Sequence, residues 1–200
     1  HSNIPVNYSR NGVATVPEII AGPILPFGKL TYTFTNKANL SEVDAVFNID
    51  ATVSYTGDET ASNNTRSAQT TRFGDYFIMP KTTSGNTFTA TATTKLFTDD
   101  GGKVLNYGNS VSGVVVIKPT TTGKKVKVKF LEFNLENNYD KLTIRNGNLS
   151  SSPIIEVLTG NSYTLPFEII SSATSGELYI EFKSDTDGSR AGWLAEVSEV

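Results

Sequence analysis

The 200-residue chain contains no cysteine, and its single histidine is the first residue, His1. The absence of cysteine excludes disulfides and a Cys–His pair. A single histidine at the terminus leaves a Ser-His-Asp triad and a histidine-rich zinc site effectively unavailable. The chain also lacks a glycine-rich phosphate loop between a strand and a helix. A glycosidase-type carboxylate pair stays open, because 20 Asp and Glu residues bring some pair close together. The sequence favours a non-catalytic protein over an enzyme.

Charge is also scarce, since 18% of the residues are charged and the formal net charge is −3. Lys and Arg are scattered, so no nucleic-acid partner is expected. One basic run, residues 124–129, alternates lysine with valine and indicates the polar face of a strand. No apolar run approaches the roughly 20 residues that span a bilayer, and no signal peptide precedes His1. We expect a mature or excised part of a secreted or cell-surface protein, and the missing disulfides indicate a bacterial one.

Thr, Ser, Gly and Asn fill the intervals between apolar positions along most of the chain. This composition predicts many short strands joined by polar turns, and therefore an all-β protein. The alternation stops near Met79, and a polar segment follows Lys81. We place a module boundary there, which gives a first module at residues 1–80 and a second at residues 81–200. Met79 itself is predicted to fill an interface or a core.

The first module has two alternating runs, one through Leu30, Tyr32 and Phe34 and one from Phe47 to Tyr55. Residues 26–65 resemble the adhesion-type, Ig-like repeats of the CARDB class that flank catalytic domains in secreted bacterial proteins. The resemblance implies an antiparallel Ig-like β-sandwich. About five strand-like runs are visible, against the roughly seven of a complete Ig sandwich.

The second module carries acidic residues where alternating apolar runs give way to loops. Glu136 and Asp140 lie at either end of one turn, and Asp185 ends a strand that is followed by Asp187 and Gly188. Carboxylates and loop carbonyls of this kind supply the oxygen ligands that Ca²⁺ prefers. Without a cation, carboxylates so close together would repel each other. These five residues are the predicted calcium ligands; the alternative is that the acids only solubilise exposed turns.

The order of three motifs in this module resembles the calcium-binding members of the CUB domain family. The motifs are F-x-L-E ending at Glu136, Y-D at Tyr139 and Asp140, and S-D ending at Asp185; an A-G-W follows, ending at Trp193. The resemblance runs from Gly85 to the C-terminus and implies a jelly-roll CUB-like β-sandwich. It also implies that Glu136, Asp140 and Asp185 are the side-chain ligands. The missing cysteines match the bacterial branch of the family.

The resemblance implies a function in binding rather than in catalysis. A partner lysine is expected to approach the ligand carboxylates, so Tyr139, Glu136 and Asp140 are the predicted partner-binding residues. We expect a calcium-binding adhesion or accessory module of a secreted bacterial protein, most simply a protease, that binds a protein or extracellular-matrix target. The alternatives are a carbohydrate-binding module and a structural spacer rigidified by calcium. Trp193 is expected in the core, with a sugar-stacking role as the minor alternative.

Overall fold

The computed structural model describes residues 1–83 and 85–200, and its regular structure there is 15 strands and one short 3₁₀ turn, Ala61–Asn63. The predicted all-β class is therefore confirmed. The chain divides into two compact units, His1–Arg72 and Phe73–Val200. No helix among these residues is long and apolar enough to cross a membrane.

The first unit contains a single five-stranded antiparallel sheet. Its strand order is β2-β1-β4-β5, and β3 pairs with the other end of β1. Ile4, Val6 and Tyr8 alternate along β1 and are buried, as is Phe47 of β4, so the run predicted from Phe47 does form a strand. The strands are β1 (Ile4–Arg10), β2 (Val13–Ala14), β3 (Glu18–Ile20), β4 (Ala45–Val53) and β5 (Thr65–Arg72).

The predicted strand through Tyr32 and Phe34 does not form in the first unit. The segment packs its rings edge to face instead, with centroid distances of 5.1 Å from Phe34 to Tyr8 and 5.5 Å from Phe34 to Tyr32. An Ig-like sandwich needs two facing sheets, and the described part of this unit has one. The predicted Ig-like sandwich is therefore not confirmed; the ring of Phe34 packs against Tyr8 of the one sheet.

The aromatic segment of the first unit is attached through the carboxylate of Glu18. This carboxylate accepts hydrogen bonds from the Tyr32 hydroxyl at 2.7 Å and from the backbone N–H groups of Thr35 at 2.9 Å and Asn36 at 3.0 Å. The bonds from Asn36, Thr35 and Tyr32, in that order of size, lower the pKa of Glu18 to about 2. Backbone groups that would have paired in a strand therefore pair with a side chain.

The second unit is a sandwich of two five-stranded sheets, with orders β13-β10-β15-β8-β6 and β12-β11-β14-β9-β7. Most neighbours are antiparallel, but β6 runs parallel to β8 and β7 parallel to β9. The strands are β6 (Phe77–Ile78), β7 (Asn86–Ala90), β8 (Lys95–Thr98), β9 (Ser112–Pro119), β10 (Val126–Asn134), β11 (Lys141–Asn146), β12 (Ile154–Leu158), β13 (Phe167–Ile170), β14 (Leu178–Lys183) and β15 (Gly192–Glu199).

The core of the second unit lies between the two sheets and follows the predicted alternation. Three alternate residues of β14 and three in the first half of β10 are fully buried, as the sequence predicted for Val126, Val128, Phe130, Leu178, Ile180 and Phe182. Trp193 of β15 is 2% exposed and packs edge to face against Phe182 and Phe97. Trp193 is therefore a core residue, as expected.

The compact second unit begins at Phe73, earlier than the module boundary placed at residues 80 and 81. The reason is that Phe77–Ile78 pairs with β8 and that Met79, which is 1% exposed, belongs to the core of this unit. A two-residue strand is too short to produce an alternating pattern, so composition alone places the boundary late.

Candidate metal centre

The predicted site residues lie at one end of the second unit, where β10 and β14 end and β11 and β15 begin. Two loops form this end, residues 135–140 and residues 184–191, and we call them the acidic rim. Hydrogen bonds join the rim to the chain between β8 and β9: Tyr107 N–H donates to the Arg190 carbonyl at 3.2 Å, and Val111 N–H donates to the Ser184 hydroxyl at 2.9 Å.

Three of the predicted ligands converge on one point of the acidic rim. Glu136, Asp185 and Asp187 each place one carboxylate oxygen within 4.8 Å of the other two. Glu136 and Asp185 are half-buried and Asp187 is exposed. The N–H of Asp187 donates to Asp185 Oδ1 at 3.0 Å, which folds the short Asp185–Asp187 turn so that both carboxylates stay near Glu136.

The carboxylate of Glu136 is only partly compensated in this cluster. Glu136 Oε2 is buried and has no hydrogen-bond partner, while Oε1 lies 3.5 Å from Arg190 Nη2. A buried carboxylate oxygen without a partner is costly, so this atom fits a cation ligand. Gly188, with a φ of +72°, passes so close that a Cβ there would clash with Glu136 Oε2. Predicted ligands Glu136 and Gly188 are therefore neighbours.

Asp140 lies outside this cluster, although it was predicted to be both a ligand and a partner contact. It is fully buried. Its Oδ1 accepts a hydrogen bond from Asp185 N–H at 2.9 Å, and its Oδ2 accepts one from the Tyr107 hydroxyl. A side chain without exposed surface cannot touch a partner, so the expected partner contact of Asp140 is wrong for this conformation. Asp140 instead holds the Asp185 backbone in place.

Tyr107, in the chain between β8 and β9, contacts the acidic rim and was not singled out as a site residue from the sequence. Its side chain is 1% exposed. Its hydroxyl donates to Asp140 and accepts from Glu136 N–H at 2.9 Å, so it connects two predicted ligands. Burial, and then the hydrogen bond to Asp140, raise the pKa of Tyr107 above its usual range, so it stays a donor. The adjacent Asn-Tyr pair in the sequence was the available signal.

Two further buried acids, Asp99 and Asp100, lie beside the rim and were not singled out as site residues. Asp99 accepts hydrogen bonds from the N–H groups of Gly101 at 2.7 Å and Trp193 at 3.1 Å. Burial raises the pKa of Asp99 to about 7 and also raises that of Asp100. Asp100 accepts from Gly108 N–H and lies 3.7 Å from Lys81 Nζ. These acids fix loop backbone and are not part of the cluster.

The exposed part of the rim includes an aromatic ring and acidic groups. Tyr139 is 67% exposed, the carboxylate of Asp187 is open to solvent, and Glu136 keeps some exposed surface. Trp193 offers no surface for a sugar, because it is buried in the core. The minor alternative of sugar stacking on Trp193 is therefore wrong for this fold, while Tyr139 remains available to a partner.

The fold and the site together define the class of this domain as a two-sheet β-sandwich with an acidic rim. Residues 84–196 match the CUB domain family model, which is more than half of the chain, and the chain therefore belongs to the CUB domain family. The family resemblance stated from the sequence motifs is confirmed.

Three known proteins show what this chain is similar to. Human cubilin is 36% identical over 117 residues, which cover 53% of this chain and 3% of cubilin. The extracellular region of zebrafish Gpr126/Adgrg6 aligns with a TM-score of 0.49 at 20% identity, covering 60% of this chain and 15% of that one. The MASP-1 CUB2 domain bound to Ca²⁺ aligns with a TM-score of 0.43 at 24% identity, covering 58% and 99%. The chain thus spans only a small part of the first two proteins.

Proposed function

We propose that this chain is a non-catalytic, calcium-binding module that attaches a secreted protein to a protein or extracellular-matrix target. The observation that carries the proposal is the cluster of Glu136, Asp185 and Asp187 around a buried carboxylate oxygen that has no partner. Membership of the CUB family supports a role in protein interaction. The absence of cysteine supports a bacterial source, and attachment to a secreted protease is the simplest whole-protein context.

Glu136, Asp185 and Asp187 would hold the calcium, with the Gly188 backbone beside them. Ca²⁺ bound there would supply positive charge and oxygen coordination that offset the mutual repulsion of the carboxylates. Asp140 would support the site indirectly, because its carboxylate accepts a hydrogen bond from Asp185 N–H and so holds the Asp185 backbone in place. Arg190 already offsets part of the negative charge on Glu136. The three carboxylates together still carry more negative charge than one arginine offsets, so the cluster can bind a cation.

A partner would meet the exposed acids and Tyr139 at the same rim. A lysine of the partner can approach Asp187 and Glu136 from solvent, while Tyr139 adds an apolar ring surface with a polar hydroxyl. Calcium would act on this contact indirectly, because a loop fixed before binding loses less entropy when the partner arrives. Attraction between exposed charges also weakens as salt rises, since screening acts over roughly 8–10 Å at physiological ionic strength.

Calcium binding is the direct test of the proposed site. We expect one Ca²⁺ per chain with a dissociation constant on the order of 10⁻⁴ to 10⁻³ M, as in extracellular modules. Glu136→Gln and Asp185→Asn each remove one ligand charge and should weaken binding about tenfold or more. Calorimetric titration of the chelator-treated protein measures this.

The matched control for calcium binding is Glu132→Gln, which makes the same chemical change at an exposed position of β10. At ten times the dissociation constant, calcium should also raise the free energy of unfolding by about 1.4 kcal/mol. A flat titration at millimolar calcium, or equal affinities for Glu136→Gln and Glu132→Gln, would refute the site.

Adhesion is the test of the proposed function beyond the metal. We expect retention on a panel of immobilised extracellular-matrix proteins that decreases with chelator and with high salt. Tyr139→Ala should reduce retention about tenfold or more while leaving calcium affinity unchanged, because Tyr139 is exposed and is not part of the acid cluster. Surface plasmon resonance against the panel measures retention, and calorimetric titration measures calcium affinity.

Leu149→Ala is the matched adhesion control, since Leu149 is an exposed apolar loop residue away from the acid cluster. Retention that ignores chelator and Tyr139→Ala would contradict adhesion through the rim. Capture by polysaccharides instead of proteins would establish the carbohydrate alternative. Calcium binding without any retention would leave the spacer interpretation as the function.

A further inference from the structure

The two sheets of the second unit have open edges on the same side of the sandwich. β12 pairs only with β11, and β13 only with β10, among the strands of the described chain. These edges carry apolar side chains in solvent: Ile154 is 52% exposed, Val157 40% and Ile170 47%. An open edge with apolar side chains is a surface on which another strand can pair.

A groove of about 410 Å³ runs between these two edge strands. Leu158 and Ile169 form its buried floor, together with the half-buried rings of Tyr163 and Phe167. The Tyr163 hydroxyl donates to the Thr159 carbonyl at 3.1 Å and accepts from Thr159 N–H at 3.0 Å, which fixes the ring against the groove. The floor is therefore preformed and apolar.

The charge of the groove is negative, because Glu156 and Glu168 both line it. Glu168 lies 3.6 Å from Lys127 Nζ, whereas Glu156 is exposed and has no ion-pair partner among the described residues. Glu156 stands opposite Ile144 in the β11–β12 pair, and Ile144 is fully buried. Opposed residues share a face of the sheet, so Glu156 lies on the inner face, next to the apolar floor.

The negative charge of Glu156 determines which strand can pair with the β12 edge. Antiparallel pairing of two copies along the whole of β12 would place Glu156 opposite Glu156, and like charges in that position are destabilising. A purely apolar strand would bury Glu156 without a partner, which is costly. A strand with Lys or Arg opposite Glu156 and apolar residues on either side would satisfy both the charge and the floor.

We propose that β12 and the groove beside it bind an extended segment of another protein, with a central basic residue that pairs with Glu156. The segment adds a strand to the β12 edge: its backbone hydrogen bonds give the affinity and Glu156 selects the basic residue. This surface shares no lining residue with the acid cluster and does not require calcium.

The test is a titration of ¹⁵N-labelled protein with the blocked peptide Val-Thr-Lys-Thr-Val, followed by two-dimensional NMR. We expect saturable shifts of the backbone amides of Ile155, Glu156 and Val157, also with chelator present. The peptide Val-Thr-Glu-Thr-Val should bind at least about tenfold more weakly. In Glu156→Lys the preference between the two peptides should reverse, while Glu132→Lys, a charge reversal at an exposed position that does not line the groove, should not change it.

A peptide with N-methylated backbone nitrogens controls for strand pairing, because it cannot donate the hydrogen bonds of an added strand. Loss of binding with this peptide supports the proposal. Equal shifts with the lysine and glutamate peptides, binding that survives N-methylation, or no saturable shift at millimolar peptide would each overturn it. Dimerisation of the protein alone through β12, seen by sedimentation, would show that a second copy is the occupant and would also overturn it.

Discussion

Asp99 is expected to make the second unit lose about 4 kcal/mol of unfolding free energy between pH 4 and pH 7. Burial raises the folded-state pKa of Asp99 to about 7, well above the ordinary value of 3.8. Between these two values the folded protein keeps the proton and the unfolded chain has released it, so stability falls as pH rises. Each unit of difference in pKa corresponds to about 1.4 kcal/mol, and the loss is complete above pH 7.

Asp99→Asn isolates this contribution, because an amide does not titrate. The variant keeps one acceptor for the N–H groups of Gly101 and Trp193 and loses the other, which adds an offset that does not depend on pH. Urea unfolding with chelator present, followed by the fluorescence of Trp193, gives the free energy at each pH. The free energy of unfolding of the wild type minus that of the variant should fall by about 4 kcal/mol from pH 4 to pH 7. Parallel curves for the two proteins would contradict the assignment.

The control for the Asp99 experiment is Asp75→Asn, since the Asp75 side chain is 96% exposed. The same change from carboxylate to amide at that position should leave the pH dependence of the wild type unaltered, because an exposed ion pair such as Asp75–Lys95 contributes little to stability.

Tyr107→Phe is expected to lower the free energy of unfolding of the second unit by about 3 kcal/mol. The phenylalanine ring can keep its packing against Phe182, but the hydroxyl is lost. Asp140 Oδ2 and Glu136 N–H then have no partner, and each unpaired buried group costs about 1–3 kcal/mol. Because the same hydroxyl positions the Glu136 backbone, calcium binding should weaken as well.

Tyr139→Phe is the matched control for Tyr107→Phe, since it removes a hydroxyl from the same residue type at an exposed position of the acidic rim. Urea unfolding of both variants and of wild type should show a lower midpoint with an unchanged slope for Tyr107→Phe only. Equal midpoints for the two variants would show that the Tyr107 hydroxyl does not hold the rim together.

The sandwich of the second unit was largely predictable from the sequence, because its strands bury one face. Alternation of apolar residues in β10 and β14 reports the side-chain period of two directly, and the structure buries those residues. The same logic misled in the first unit, where Tyr32 and Phe34 also alternate. Their rings pack against the sheet while their backbone is not in a strand, and alternation cannot distinguish these two outcomes.

The acid cluster was predictable in part for a related reason. The sequence shows that acids end strands, and the structure brings Glu136, Asp185 and Asp187 close to one another. It does not show which acid is already occupied by hydrogen bonds. Asp140 is engaged by Tyr107 from a distant loop, and Asp99 by Trp193 from another strand. Such long-range pairing depends on the fold, so burial of an acid is not readable from its neighbours in the sequence.

The direction of β10 and β15 determines which end of the second unit carries the acidic rim. β15 runs antiparallel to β10, so Glu199 lies opposite Val126 at one end of the second unit. The rim lies at the other end, where Asn134 closes β10 opposite Gly192. A tether joined after Val200 would therefore attach on the side away from the acidic loops. A surface coated through that tether would display the carboxylates outward, where a partner in solution reaches them without passing the support.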